Sequence, residues 1–186
     1  SWTQGLRLWM SVAGSADGKK LILTSSNPRN LFLSEDGGVT LVERFSEELA
    51  WLTSASSGDG RILLASGSPS RIWVSTDAGV SWTQRGESNR WVSMSASIDG
   101  STLVAASGEA QLYFSYDTGA TWVPRGPNRH WKAVSVSGDG ARAAACAPGD
   151  HIYVSGGTGS LVMREDALVE LTYTGNGEFY VSEVGG

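Results

Sequence analysis

With 186 residues, the chain is long enough for one domain with its own core. Its formal net charge of −5 argues against a nucleic-acid partner, because phosphate binding needs clustered lysine and arginine. No apolar run reaches the roughly 18 residues of a membrane-spanning helix, so membrane insertion is not expected.

The chain begins inside a repeat unit. Ser1–Gln4 reads Ser-Trp-Thr-Gln and matches Ser81–Gln84, so the first four residues are predicted to form the last strand of a unit. The first complete unit, approximately 5–45, then has a strand led by Trp9 and a tight turn at Asp17-Gly18. Asp-Gly supplies the positive φ angles that a short hairpin needs.

The same markers return along the chain. The Asp-Gly turns recur in steps of 42, 40 and 40 residues, at Asp17-Gly18, Asp59-Gly60, Asp99-Gly100 and Asp139-Gly140. Tryptophans lead the units in the same steps, at Trp9, Trp51, Trp91 and Trp131. A periodicity of about 40 residues, with four short strands in each period, is typical of β-propeller blades.

A third marker is a Ser-x-Asp-x-Gly-x-Thr/Ser box followed directly by Trp or Leu. Its three copies place Asp36, Gly38 and Leu41, then Asp77, Gly79 and Trp82, then Asp117, Gly119 and Trp122 in the same register. A fourth copy begins at Ser155 but has Gly157 at the aspartate position. Three markers in one register predict repeat units of approximately 5–45, 46–85, 86–125 and 126–165.

The C-terminal residues predict a partial fifth unit. A first strand near 167–174 and a second near 178–183 flank Asn176-Gly177, and the strand at 1–4 would complete the unit from the other terminus. We therefore expect an all-β fold, a single small propeller over 1–186 with five blades. Its last blade would combine 166–186 with 1–4, which would cover edges that otherwise promote aggregation. The alternative is that the chain is a fragment of a longer propeller.

The boxes resemble those of the BNR, or Asp-box, repeats of sialidase type, which also occur in sortilin-like and photosystem II assembly-factor propellers. The resemblance covers nearly the whole chain and implies architecture more than activity. We interpret the box aspartates as acceptors within their turns, the glycines as turn residues, and Trp82 and Trp122 as packing between blades. Metal binding or catalysis by the aspartates is the alternative interpretation.

The resemblance also implies that the binding face lies opposite the boxes, on the loops that join second to third and fourth to first strands. Candidate binding residues are polar side chains on those loops: Arg7, Arg29, Asn89, Arg90, Asn128, Arg129 and His130. The head tryptophans would pack between blades or, alternatively, surround a ligand at the channel mouth. Loops on a rigid scaffold are the usual position of ligand contacts.

The predicted function is a non-catalytic binding or scaffold module with a protein partner, possibly a subunit of a larger assembly. A lectin-like glycan-binding module is the alternative, and a glycosidase using Glu47, Glu48, Glu87 or Glu109 is a third hypothesis. We expect no cofactor and no metal. Cys146 is the only cysteine and is interpreted as a small core residue. Similar propellers are often secreted, periplasmic or lumenal, which favours an extracytoplasmic location.

Overall fold

The structure is a computed structural model that describes residues 7–27, 29–45, 49–150, 152–155, 168–173 and 179–184. Every regular element in these ranges is a β-strand, which confirms the all-β class. The first sheet contains β1 (Leu8–Gly14), β2 (Leu21–Asn27), β3 (Arg29–Ser34) and β4 (Val42–Phe45). The second contains β5 (Trp51–Ser56), β6 (Leu63–Gly67), β7 (Ser70–Ser75) and β8 (Thr83–Asn89).

The third sheet contains β9 (Trp91–Ala96), β10 (Leu103–Ser107), β11 (Leu112–Ser115) and β12 (Val123–Arg125). The fourth contains β13 (Ala133–Val136), β14 (Ala143–Cys146) and β15 (Ile152–Ser155), and the last pair is β16 (Leu168–Tyr173) with β17 (Phe179–Val184). Each sheet is an antiparallel meander in chain order. None of the described residues forms a helix that could span a membrane.

The predicted C-terminal strands are present as β16 and β17, which pair with Leu171 opposite Val181. The predicted strand at 1–4 lies outside the described residues, as do Glu47, Glu48, Gly157 and the stretch that would supply a fourth strand to the fourth sheet. Closure into five blades therefore stays a prediction.

Some strands begin later than the sequence pattern predicts. The apolar run Arg61–Ala65 predicts the second strand of the second unit from Arg61 onward, whereas β6 begins at Leu63. The reason is the turn before it: the Arg61 amide donates to Asp59 Oδ1 at 2.9 Å and the Ile62 amide to Ser57 Oγ at 3.0 Å. These two amides are bound by turn side chains before the strand begins.

The core lies in the layers between consecutive sheets. In the layer between the second and third sheets, Leu64 and Ile72 of one sheet pack against Trp91, Leu103 and Tyr113 of the next. Equivalent positions build the two neighbouring layers. Trp51, Trp91 and Trp131 are only 0–2% exposed, which favours packing over ligand stacking as their role. A buried side chain of this size contributes roughly 150–250 Å² of buried surface.

The turns that follow the first strand of each sheet are also joined by backbone hydrogen bonds. The Ala16 amide donates to the Gly58 carbonyl at 2.7 Å, Gly58 to Ile98 at 2.8 Å, and Ile98 to Gly138 at 2.9 Å. These four positions are equivalent in the repeat. A single chain of backbone bonds thus runs across all four sheets at the end where the Asp-Gly turns lie.

Candidate binding face

The box aspartates are bound inside their own turns. Asp77 accepts hydrogen bonds from Ser75 Oγ at 2.8 Å, from the Ser81 amide at 2.9 Å and from Ser81 Oγ at 2.6 Å. Asp36 and Asp117 have the same three partners at the same repeat positions. The Ser75 hydroxyl in turn accepts from the Gly79 amide at 2.8 Å. A carboxylate with these partners holds the turn closed.

This bonding lowers the pKa values of the box carboxyls. The pKa of Asp77 falls from 3.8 to about 2, chiefly because the Ser81 hydroxyl and amide donate to the charged form. The pKa values of Asp36 and Asp117 fall to about 2 for the same reason, with Thr40 and Thr121 as the principal donors. The carboxyls are therefore charged at neutral pH, in a purely local network.

The box glycine and tryptophan connect this turn to the core. Gly79 is buried with φ at +84°, and a Cβ there would lie 2.1 Å from Leu33 Cδ1 of the preceding sheet. Trp82 Nε1 donates to the Gly79 carbonyl at 3.2 Å, and Trp82 packs against the core layer. Trp122 and Gly119 repeat the bond at 3.2 Å. Among the described residues, no group of three or more His, Cys, Asp or Glu side chains could hold a metal ion.

The loops divide between two opposite ends of the sheets. At one end, which we call the box face, lie the Asp-Gly turns and the boxes; the Ala78 amide of a box donates to the Arg61 carbonyl beside its turn. At the other end, which we call the loop face, the Gly108 amide donates to the Arg90 carbonyl at 2.9 Å. All seven candidate binding residues lie on the loop face.

Four of those seven gather around one loop, Gly108–Ala110. Arg90 forms an exposed ion pair with Glu109 at 3.5 Å. His130 Nδ1 lies 2.8 Å from the Gly108 carbonyl, and the Arg129 amide donates to the Ala110 carbonyl at 3.0 Å. Asn89 completes the group, since its amide oxygen accepts from Ser107 Oγ at 3.2 Å. The third and fourth sheets therefore meet in a continuous polar surface.

Arg129 is held on both sides. Its guanidinium donates to Asp150 and lies 5.0 Å from the centre of the Tyr153 ring. Tyr153 Oη donates to the same carboxylate at 3.0 Å, and burial together with this bond raises the pKa of Tyr153. Trp131 meets Tyr153 edge to face at 5.2 Å. These contacts fix the Arg129 side chain in place, and its charge is paired with Asp150.

Arg7, Asn89 and Arg129 occupy one repeat position, two residues before the head tryptophan. Each contacts the aromatic residue of the third strand in its own repeat unit: the Arg7 guanidinium lies 4.5 Å from the Phe32 centre. Asn89 Nδ2 donates to Tyr113 Oη at 3.4 Å. Three of the seven predicted binding residues therefore make contacts within the ends of the sheets. Their shared position in the repeat could have indicated this structural role from the sequence.

The remaining candidates are exposed side chains: Arg29, Arg90, Asn128 and His130. Sequence reasoning did not single out the acidic and aromatic partners of this face. Asp150 and Tyr153 become evident only when the fold places them beside Arg129. Glu109, one of the four carboxylates named for the glycosidase hypothesis, forms an exposed ion pair with Arg90.

The two faces differ in charge. Among the described residues, the loop face carries six basic side chains (Arg7, Arg29, Arg71, Arg90, Arg129, Lys132) and three acidic ones (Glu87, Glu109, Asp150). The box face carries eight acidic side chains and four basic ones: Asp17, Glu35, Asp36, Asp59, Asp77, Asp99, Asp117 and Asp139 against Lys19, Lys20, Arg61 and Arg142. Among the described residues, basic side chains therefore outnumber acidic ones on the loop face, and the reverse holds on the box face.

Solved structures identify the architecture. YCF48 bound to D1 peptide superposes with a TM-score of 0.66 over 94% of this chain at 15% identity. The Kuenenia stuttgartiensis hydrazine synthase gives a TM-score of 0.70 over 98% at 15% identity, and the Niastella koreensis GH74 enzyme 0.66 over 83% at 21% identity. The fold is that of a β-propeller. No protein-family model matches the sequence, and no curated protein is similar to it in sequence.

The propeller fold is shared by proteins with different activities, since the three neighbours include an enzyme of the GH74 type and a protein bound to a peptide. The chain spans 60% of the YCF48 structure, 57% of the hydrazine synthase chain and 24% of the GH74 enzyme. Identities of this size show the fold alone.

Proposed function

We propose that this chain is a non-catalytic protein-binding module of the Asp-box (BNR) repeat type, a five-bladed propeller that binds its partner with the loop face. The observation that carries the proposal is the excess of basic over acidic side chains among the described residues of the loop face, whose loops differ from sheet to sheet. Complementary charge steers association and selects partners. The partner is therefore expected to present an acidic surface.

The repeat type is supported by the boxes themselves. Asp36, Asp77 and Asp117 make the same bonds in three consecutive sheets, and the fourth unit keeps the Ser-x-Asp-Gly turn at Ser137 and Asp139. A residue that performs the same local task in every unit is a structural element. Binding then falls to the face where the units differ.

Two alternatives receive less support. Glycan recognition would use exposed aromatic faces, yet the head tryptophans Trp51, Trp91 and Trp131 are buried between sheets. A glycosidase needs two carboxyl groups facing the substrate at about 5–9.5 Å. On the loop face, Glu109 and Asp150 are each paired with an arginine.

The test is capture of a partner from native material by the full chain, with two charge-reversal variants. The loop-face variant is Arg29→Glu/Arg71→Glu/Arg90→Glu, and the matched box-face control is Lys19→Glu/Arg61→Glu/Arg142→Glu. All six side chains are exposed. We expect a stoichiometric partner that the control retains and the loop-face variant loses. Equal retention by both variants, or no partner for the unaltered chain, would contradict the proposal.

A further inference from the structure

A cavity of about 150 Å³ lies between the third and fourth sheets. Leu112 and Phe114 of the third sheet line it, together with Trp131, Ala143 and Tyr153 of the fourth unit. These five side chains are apolar except for the indole N–H and the phenol hydroxyl. An apolar cavity of about 150 Å³ is known to bind benzene, so the space between these two sheets has room for one aromatic ring.

The repeat explains why this space is open. In the layer between the second and third sheets, Leu103 is fully buried and Trp122 packs against the same core cluster. Ala143 stands at the position of Leu103, and the sequence has Val162, outside the described residues, at the position of Trp122. Each replacement exchanges a large side chain for a small one. Phe114 is larger than its counterpart in the second sheet and fills part of the difference, but close packing is not reached and the cavity remains.

The cavity adjoins the loop face. Gly126 and Pro127, in the loop that joins β12 to β13, line it, and so does the exposed Arg125. Gln111 Nε2 donates to the Gly126 carbonyl at 2.6 Å, which holds this loop against the third sheet. The loop continues into Asn128–His130, where three of the candidate binding residues lie. A partner on the loop face is therefore close enough to place a side chain in the cavity.

One wall of the cavity contains a buried hydrogen-bond donor. The indole N–H of Trp131 has no acceptor among the residues that the structure describes. In the preceding layer the equivalent N–H, that of Trp91, donates to the Ser70 carbonyl at 2.9 Å. The equivalent carbonyl of the third unit, that of Ala110, instead accepts from the Arg129 amide at 3.0 Å. A buried donor without an acceptor costs free energy, so an occupant that brings an oxygen atom to Trp131 gains by accepting from it.

We propose that this cavity is the anchor site for the protein partner and binds one of its tyrosine side chains. The ring takes the space that Leu103 and Trp122 fill in the preceding layer, and the phenol oxygen accepts from Trp131 Nε1. Arg125 supplies a cation beside an aromatic ring and suits an acidic partner surface. Aromatic side chains buried in pockets often dominate the binding energy of protein interfaces. The inference rests on the proposed function and names the side chain that the loop face recognises.

The experiment titrates the full chain with para-fluorophenol and follows the fluorine NMR signal of this probe. Ala143→Leu restores the leucine of the other units and fills the cavity. Ala141→Leu is the matched control, because it makes the same change at an exposed position of the same unit. We expect saturable binding that Ala143→Leu weakens at least tenfold and Ala141→Leu leaves unchanged. The absence of saturable binding, or equal binding by the two variants, would overturn the inference.

A second variant fills the cavity from the opposite wall, in case Ala143→Leu does not fold. Leu112→Phe should also weaken binding of para-fluorophenol at least tenfold, and unaltered binding by this variant would overturn the inference. A second probe, para-fluorotoluene, has the same ring without the hydroxyl. It should bind to the unaltered chain at least threefold more weakly than para-fluorophenol, since it cannot accept from Trp131. Equal or tighter binding of para-fluorotoluene would overturn the assignment to tyrosine.

The inference and the proposed function fail separately, because partner capture is measured on the same variants. Ala143→Leu should lose the partner that Ala141→Leu retains. Equal capture by the two variants would refute the anchor site and leave the loop face as the binding surface. Binding of para-fluorophenol without any partner for the unaltered chain would refute the proposed function and assign the cavity to a free phenolic ligand.

Discussion

The box face and the loop face of this chain are built on opposite principles. On the box face, Asp36, Asp77 and Asp117 repeat one network of bonds in three sheets. On the loop face, equivalent positions vary: the guanidinium groups of Arg7 and Arg129 lie over aromatic rings, whereas Asn89 donates to the Tyr113 hydroxyl. Repetition indicates what each sheet needs in order to fold, and variation indicates where the sheets can differ for binding.

The head tryptophans test this division most severely, because they lie at the loop end of the sheets yet repeat in every unit. Trp91 is fully buried, and its Nε1 donates to the Ser70 carbonyl at 2.9 Å. Trp91→Ala should lower the free energy of unfolding by about 3–5 kcal/mol, since it leaves a large cavity. Denaturant unfolding followed by circular dichroism measures the loss. Trp91→Phe, which keeps most of the packing, is the control and should lose clearly less.

A native-like stability of Trp91→Ala, accompanied by loss of partner binding, would contradict the structural role. The division between repeated and variable positions would then fail at the loop end of the sheets.

The box glycines provide the next largest effect. Gly79→Ala places a methyl group against Leu33 and forces a non-glycine residue to φ +84°. We expect a loss of about 2–4 kcal/mol, the sum of left-handed backbone strain and overpacking. Gly126→Ala is the matched loop-face control, because its φ is +75° and no atom lies within 4 Å of the added carbon. Backbone strain alone should cost about 1–2 kcal/mol there. Equal losses at the two sites, measured by thermal unfolding, would show that the box face is not more tightly packed.

Acid should destabilise the folded chain through the carboxyls of the box face. The pKa values of Asp36, Asp77 and Asp117 are about 2 in the folded chain, against 3.8 for an ordinary aspartate. A depressed folded-state pKa contributes stability that is present above pH 4 or so and is lost as the pH falls through about 2. The melting temperature should therefore drop between about pH 4 and pH 2.

Asp77→Asn sharpens this comparison, since the amide keeps a hydrogen-bond acceptor but does not titrate. The variant should be less stable than the unaltered chain at pH 6 and should lose part of the pH dependence in this window. The rest belongs to Asp36, Asp117 and the turn aspartates Asp17, Asp59, Asp99 and Asp139, whose pKa values are also lowered. Glu109→Gln, at the exposed ion pair of the loop face, is the control and should leave the acid profile unchanged. An unchanged slope in Asp77→Asn would mean that other groups govern acid unfolding.

Much of the fold is readable from the sequence because its markers are local. Asp-Gly turns, boxes and head tryptophans act within one sheet or between neighbours, and the strands at β16 and β17 appear where turn spacing places them. Strand starts were less predictable, as with Leu63, because side chains such as Asp59 and Ser57 bind the preceding amides. The repeat register located the loop face, but it did not predict which residues contact each other there. Asp150 meets Arg129 across 21 positions, and no periodic signal predicts such a contact.

The smallest effect on stability is expected at the Arg90–Glu109 ion pair of the loop face. Their side chains are 57% and 63% exposed and 3.5 Å apart, and exposed ion pairs of this kind contribute about 0–1 kcal/mol. Arg90→Ala should therefore leave the unfolding transition within about 0.5 kcal/mol of the unaltered chain, as surface substitutions usually do. Its partner binding should nevertheless weaken, because the variant removes a basic group from the loop face. Arg61→Ala on the box face is the control, exposed to solvent and expected to change neither property by much. If Arg90→Ala destabilises the chain as strongly as Gly79→Ala while partner affinity is unaltered, the loop face is structural in the same way as the box face.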